Sequence, residues 1–183
     1  KAFDKVSHRR LISKLKSVGI VGKVVGWIEH WLEDRKQRVV LNGNHSDWAM
    51  VTSGVPQGSV LGPLLFLIYV NDMDIGITSE LSKFADDTKL FRSIKDDKDI
   101  LELQNDLSRL YEWSKTWLME FNTAKCKTVH FGKNTGHDYF LGDSKLIDCT
   151  EEKDLGILIS HSLKVASHVD VQVAKANKML GFI

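Results

Sequence analysis

Two aspartates stand side by side in the run Lys83-Phe84-Ala85-Asp86-Asp87-Thr88-Lys89-Leu90-Phe91. Apolar residues on both sides predict two short strands joined by a hairpin turn that holds both carboxylates at its tip. Asp is also a favoured turn residue, because its side chain bonds its own backbone. The pair alone therefore reads either as a solvated turn or as a site. A second stretch lies upstream, Ser53-Gly54-Val55-Pro56-Gln57-Gly58-Ser59-Val60-Leu61-Gly62-Pro63. Its glycines let other groups come close to the backbone, Pro56 stiffens the bend, and Gln57 can donate and accept at once. At a loop-to-helix junction, such a stretch leaves N–H groups of the first helical turn facing outwards, which suits a phosphate or a sugar. A purely structural loop is the alternative.

The elements that must position these residues follow from periodicity. Ser7 can cap a helix with Leu11, Ile12, Leu15 and Val18 on one face and Gly19 as its stop. A second helix carries Val21, Val24, Val25, Ile28, Trp31 and Leu32 at helical spacing, and its tryptophans read as core. Arg35-Lys36-Gln37-Arg38 leads into Val39-Val40-Leu41, and Asn42-Gly43 predicts a hairpin turn before Trp48-Ala49-Met50-Val51. Arg35, Lys36 and Arg38 suit phosphate contacts, or equally a solvated helix end whose cations complement the dipole. The glycine-rich loop opens an apolar helix from Val60 to Asn71. After the Asp hairpin, Ile100, Leu103, Leu107, Leu110 and Trp117 mark an amphipathic helix over 98–118, with Tyr111, Trp113 and Trp117 as packing groups. Short strands are expected at 128–131, 139–141, 145–147 and 155–159. A closing helix carries Val169, Val173, Ala176 and Leu180. This order predicts an α+β domain with helices on one face of an antiparallel sheet.

The bulk properties permit this reading and narrow it. With 183 residues, 43% of them hydrophobic, the chain can build a real core. Net charge is +1, from 25 basic against 24 acidic residues, so polyanion binding has to come from local clustering. Cys126 and Cys149 show no zinc spacing and fit a reduced, intracellular chain, pairing of the two thiols being the alternative. No leader is read at Lys1-Ala2-Phe3-Asp4, and the longest apolar run, Val60 to Val70, is too short to span a membrane. Both ends read as cut, which marks a fragment.

Taken together, the stretches resemble the reverse transcriptases of non-long-terminal-repeat retrotransposons, the jockey-like group in particular. The resemblance is carried by Ala2-Phe3-Asp4, the whole Ser53–Pro63 stretch, Phe84-Ala85-Asp86-Asp87, Trp117 with Asn122 and Lys125, and Leu155-Gly156, in the family's order. It implies a polymerase palm, a central antiparallel sheet backed by helices and incomplete at both ends. Residues 1–160 would be palm and 161–183 the start of a thumb. The implied activity is RNA-directed DNA synthesis with an RNA template, a DNA primer and deoxynucleoside triphosphates, by two-metal nucleotidyl transfer with Mg²⁺, or Mn²⁺ as an alternative. Asp86 and Asp87 match the metal-binding pair, Asp86 in the stronger role. Phe3 matches the ring that rejects a 2′-hydroxyl, Gln57 and Gly58 the nucleotide contacts, and Lys125 a general acid to the pyrophosphate. Leu155-Gly156 matches the primer-gripping hairpin, beside Arg35 and Arg38 as nucleic-acid contacts. No membrane partner is implied, the setting is intracellular with a nuclear location open, and the oligomeric state is unknown.

One departure concerns activity. The family's first motif has a further metal-binding Asp, which would fall upstream of Lys1, and Asp4 matches only the motif's trailing residue. Little or no polymerase activity is therefore expected of these residues alone. A remnant that folds and binds nucleic acid or protein without chemistry is the competing expectation. A maturation factor related to intron-encoded reverse transcriptases is the third.

Overall fold

The computed structural model describes residues 2–132 and 136–181, so Lys1 and the closing Phe182-Ile183 lie outside the described residues. The chain divides into two compact units, Lys1–Glu120 and Phe121–Ile183.

The first unit opens with a 3-10 turn, Phe3–Lys5, followed by helices α1 (His8–Ser17) and α2 (Lys23–Leu32). Leu11, Ile12 and Leu15 form the buried stripe of α1, as their spacing predicts. Gly19 stops the helix with a φ of +85°, and the Ile20 N–H closes back on the Leu15 carbonyl at 2.9 Å. Val18 caps this end and is exposed rather than joining the stripe. Helix α2 buries Val25, Ile28 and Leu32. Its tryptophans are not core as expected: Trp27 is exposed, and its ring stacks on Trp31 at 6.0 Å. Ring covers ring there, so part of their apolar surface leaves water without entering the interior.

Four two-residue strands follow: β1 (Lys36–Gln37), β2 (Val40–Leu41), β3 (Asn44–His45) and β4 (Ala49–Met50). β2 pairs with β3 and β1 with β4, both antiparallel. The inner turn is Asn42-Gly43, with φ of 50° and 81°, the left-handed pair that a two-residue hairpin requires. Helix α3 (Leu61–Val70) buries Gly62, Leu65, Phe66, Tyr69 and Val70, and a 3-10 turn, Asn71–Asp74, leads out of it. Strands β5 (Glu80–Phe84) and β6 (Asp87–Phe91) pair antiparallel from Glu80 opposite Phe91 to Phe84 opposite Asp87. Helix α4 (Asp97–Trp117) is capped by Asp96, whose side chain accepts from the Asp99 N–H at 3.1 Å.

Lys14 sits on the apolar stripe of α1 with a side chain only 4% exposed. Its ammonium meets Asp72 Oδ1 at 2.5 Å, donates to the Tyr69 carbonyl, and lies 3.8 Å from the Trp117 ring centre and 4.8 Å from that of Trp113. Trp113 Nε1 donates to the same Asp72 oxygen at 2.8 Å. Burial pushes the Lys14 pKa down, and the Asp72 hydrogen bond and charge pull it part of the way back. One cation thereby ties α1, the end of α3 and α4 together. Lys14→Met keeps the stem packing but leaves Asp72 without its cation. Asp72 is partly exposed, so the expected loss is about 2 kcal/mol, below the range for breaking a fully buried pair, read as the shift in a urea unfolding midpoint.

The second unit begins with a 3-10 turn, Thr123–Lys125, and continues with β7 (Lys127–Val129), β8 (Phe140–Leu141), β9 (Ser144–Lys145), β10 (Ile147–Cys149), β11 (Glu151–Asp154), β12 (Ile157–Ser160) and α5 (Ala166–Leu180). β8 pairs with β9 and β11 with β12 antiparallel, while β7 and β10 run parallel. The mixed α and β class is the one expected. The described strands pair two by two. No helix among the described residues is long and apolar enough to cross a membrane.

Candidate active site

In the β5–β6 hairpin, Phe84 opposite Asp87 leaves Ala85 and Asp86 as the two-residue turn. Ala85 has a φ of 53°, so the turn is tight and left-handed at its first residue. Asp86 stands at the tip, Asp87 opens β6 beside it, and both are exposed.

The glycine-rich loop is strapped to the turn that carries Phe3. The Gly54 N–H donates to the Val6 carbonyl at 2.8 Å, the Val55 N–H to the Phe3 carbonyl at 2.9 Å, and Ser53 Oγ to the Asp4 carbonyl at 2.8 Å. His8 Nε2 donates to the Gly54 carbonyl at 2.8 Å, towards which Arg35 also reaches, at 3.5 Å. Gln57 and Gly58 project as the exposed crown of the loop. Beyond them, Ser59 Oγ donates to the Pro56 carbonyl and accepts the Gly62 N–H, each at 2.8 Å. One N–H of the first turn of α3 is thus satisfied internally rather than facing outwards. The Phe3 ring stacks on Phe66 of α3 at 4.5 Å with 11° between planes, which fixes its orientation.

Helix α3 connects this loop to the hairpin. Its N-terminal end carries the loop, and past its C-terminal end Lys83 of β5 donates to the Asn71 carbonyl at 3.0 Å and pairs with Asp74 at 3.3 Å. At the foot of the hairpin, Asp106 of α4 is fully buried and accepts from the N–H groups of Thr78 and Ser79, at 3.1 and 2.7 Å. Burial pushes the Asp106 carboxyl up, but the hydrogen bonds from Ser79 and Thr78 outweigh it and hold the pKa below the usual carboxylate value. A depressed folded pKa gives stability that is full above the unfolded value of about 3.9 and lost as pH falls through the folded value. Asp106→Asn is therefore expected to flatten the acid limb of stability below about pH 4, read by thermal unfolding across pH.

The other sequence-predicted residues belong to other elements. Arg38 stacks its guanidinium on Trp48 at 4.6 Å, on the exposed arm that carries β1 to β4. In the second unit, Lys125 ends the 3-10 turn Thr123–Lys125 and is exposed. Leu155 and Gly156 form the turn between β11 and β12, with φ of 46° and 93°. Sequence reading misses His8, Lys14, Asp72, Arg92 and Asp106. The available signal for Lys14 and Asp106 was a charged residue falling among the apolar positions of an amphipathic helix.

Asp86 and Asp87 are hard oxygen donors, the kind that a divalent cation such as Mg²⁺ selects. They fit such an ion in chemistry and exposure. Among the described residues, no group of three or more His, Cys, Asp or Glu gathers as a cation site.

A carboxylate hairpin, a glycine loop at the head of an apolar helix and a ring stacked on that helix, within a mixed α and β unit, are consistent with a fragment of a polymerase palm. Residues 1–183 match the family model described as reverse transcriptase (RNA-dependent DNA polymerase), and the chain belongs to that family. It is 31% identical over 176 residues to a probable RNA-directed DNA polymerase from transposon X-element of Drosophila melanogaster, covering 92% of this chain and 19% of that protein. It is also 31% identical over 182 residues to the RNA-directed DNA polymerase from mobile element jockey of Drosophila funebris, covering 92% and 19%. A probable RNA-directed DNA polymerase from transposon BS of Drosophila melanogaster shares 34% over 181 residues, covering 92% and 20%. The chain thus spans about a fifth of the length of these curated relatives.

Proposed function

We propose that this chain is the palm portion of an RNA-directed DNA polymerase of a non-long-terminal-repeat retrotransposon. It would extend a DNA primer along an RNA template, working inside the cell, and residues 161–183 would begin the thumb. The observation that carries the reading is the hairpin register, which puts Asp86 at a tight turn and Asp87 directly after it, both open to solvent. Asp86 and Asp87 would hold two Mg²⁺ ions, which supply charge stabilisation to the attacking and leaving oxygens of nucleotidyl transfer. The exposed Gln57 and Gly58 would meet the incoming deoxynucleotide. Phe3, backed by Phe66, would close the space that a 2′-hydroxyl needs. Lys125 would deliver a proton to the departing pyrophosphate, Leu155-Gly156 would hold the primer strand, and Arg35 and Arg38 would contact nucleic-acid phosphates.

Primer extension on an RNA template, with protein expressed from the reading frame that encodes this chain, tests the reading. Incorporation that depends on template, Mg²⁺ and Asp86 supports it. A folded product that binds primer–template but incorporates nothing overturns it in favour of a binding remnant.

A further inference from the structure

The β5–β6 hairpin is held at its foot by one face of α4. Thr78 and Ser79 lead directly into β5, Arg92 follows directly on β6, and the closing pair is Glu80 opposite Phe91. The Asp106 carboxylate takes the Thr78 N–H at 3.1 Å from both of its oxygens, the Thr78 hydroxyl at 3.0 Å and the Ser79 N–H at 2.7 Å. Arg109 Nη1 meets its Oδ1 at 2.7 Å. The Thr78 hydroxyl then accepts from Arg92 Nη1 at 3.2 Å, and Ser79 Oγ accepts from the same nitrogen at 3.4 Å. Arg92 in turn pairs with Asp99 at 3.2 Å and with Glu102. Asp99, Glu102 and Asp106 fall three and four residues apart, along one side of the helix. Both legs of the hairpin therefore end on carboxylates of a single helix, with the Thr78 hydroxyl as the link between them.

The tip, by contrast, is exposed. Five residues of extended strand reach roughly 17 Å, so a swing of about 10° at the foot displaces the tip by about 3 Å. Metal-ligating side chains have to be held to about 0.5 Å. The orientation of the foot thus decides whether two carboxylates at the tip can serve as ligands.

We infer that Asp106, acting through Thr78, Ser79 and Arg92, is a positioning residue that aims Asp86 and Asp87. The inference rests on the reading of those two aspartates as cation ligands. A carboxylate fully out of water, spending both oxygens on the two residues that begin the hairpin, is a costly group to keep unless it fixes a direction.

The test is an NMR titration of the ¹⁵N-labelled 183-residue chain with Mn²⁺, following paramagnetic broadening at 85–88. Asp86→Ala serves as the specificity control. Val25→Ala, a buried position on α2 rather than on α4, serves as the control for lost stability. Asp106→Asn is expected to weaken Mn²⁺ binding at the tip by about tenfold, the scale for outer-shell partners of a ligand. Val25→Ala should leave the affinity unchanged. Thr78→Val, at an exposed position, cuts only the hydroxyl link and should weaken Mn²⁺ binding in the same direction by a smaller factor. It decides the matter if Asp106→Asn does not fold. Unchanged affinity in a folded Asp106→Asn chain, or in Thr78→Val where the first does not fold, overturns the positioning role. Wild-type chain that shows no broadening at 85–88 overturns the cation-ligand reading and the inference together, and that failure is visible before any variant is made.

Discussion

On the proposed function, Asp86→Asn in the longer protein that carries this chain is expected to lower RNA-templated incorporation by about 10³-fold, the upper scale for removing one charge-stabilising group from an active site. Asn is nearly isosteric with Asp and is itself a favoured turn residue, so the Ala85-Asp86 turn and the ladder from Glu80 opposite Phe91 to Phe84 opposite Asp87 should persist. What disappears is a negative charge and, on the proposed role, a hard ligand on which nucleotidyl transfer would depend as charge builds on the entering and leaving oxygens. The loss should fall on kcat rather than on the KM for deoxynucleotide, because the interaction strengthens in the transition state. Stability should move by no more than about 0.5 kcal/mol, as for other exposed positions. Single-turnover primer extension beside a urea unfolding curve separates the two effects. Activity within a few-fold of wild type in a folded variant would remove Asp86 from the metal-binding role.

Much of this arrangement is legible in the residues themselves, and the rest is hidden for identifiable reasons. Helical spacing of Leu11, Ile12 and Leu15, or of Ile100 and Leu110, announces α1 and α4 because burial needs a stripe. Asn42-Gly43 announces its turn because only such residues take two left-handed conformations in succession. Strand β11 is not legible: Glu151-Glu152-Lys153-Asp154 has no apolar alternation, and it becomes a strand only because Ile157–Ser160 supplies a partner across the Leu155-Gly156 turn. The stacked Trp27 and Trp31 mislead, since helical spacing does not distinguish a ring in the core from one covered by its neighbour. The site divides in the same way. Asp86, Asp87 and the Gly54–Gly58 loop declare themselves through local residue types. Asp106 does not, because its worth lies in Thr78 and Ser79, brought to it by the hairpin and not by any short-range pattern. Lys14 is hidden likewise, its partner Asp72 and its aromatic neighbours lying on other elements.

The strap between the loop and the Phe3 turn leads to the other large effect, because it leaves no room for a side chain at Gly54. A Cβ there would stand 2.7 Å from the Asp4 Cα and 2.9 Å from the Phe3 carbonyl oxygen. Both are backbone atoms, which no rotamer change can move aside. The φ of +90° adds strain that any L side chain would feel. Gly54→Ala is therefore expected to cost about 3 kcal/mol or more, since overpacking and left-handed strain act together. The cheapest relief is for the loop to part from residues 3–6, breaking the bonds from the Gly54 N–H to the Val6 carbonyl and from the Val55 N–H to the Phe3 carbonyl. Gly58 provides the control. Its φ of +87° is as unusual, yet nothing lies within 4 Å of its would-be Cβ, so Gly58→Ala should show only the conformational cost of about 1 kcal/mol. Denaturant unfolding of the two variants separates crowding from strain. If Gly54→Ala is as mild as Gly58→Ala, the strap is not tight. If it is severe, the Phe3 ring should also lose its fixed seat on Phe66, and on the proposed role of Phe3 the longer protein carrying the change should discriminate less against ribonucleotides than the wild type does.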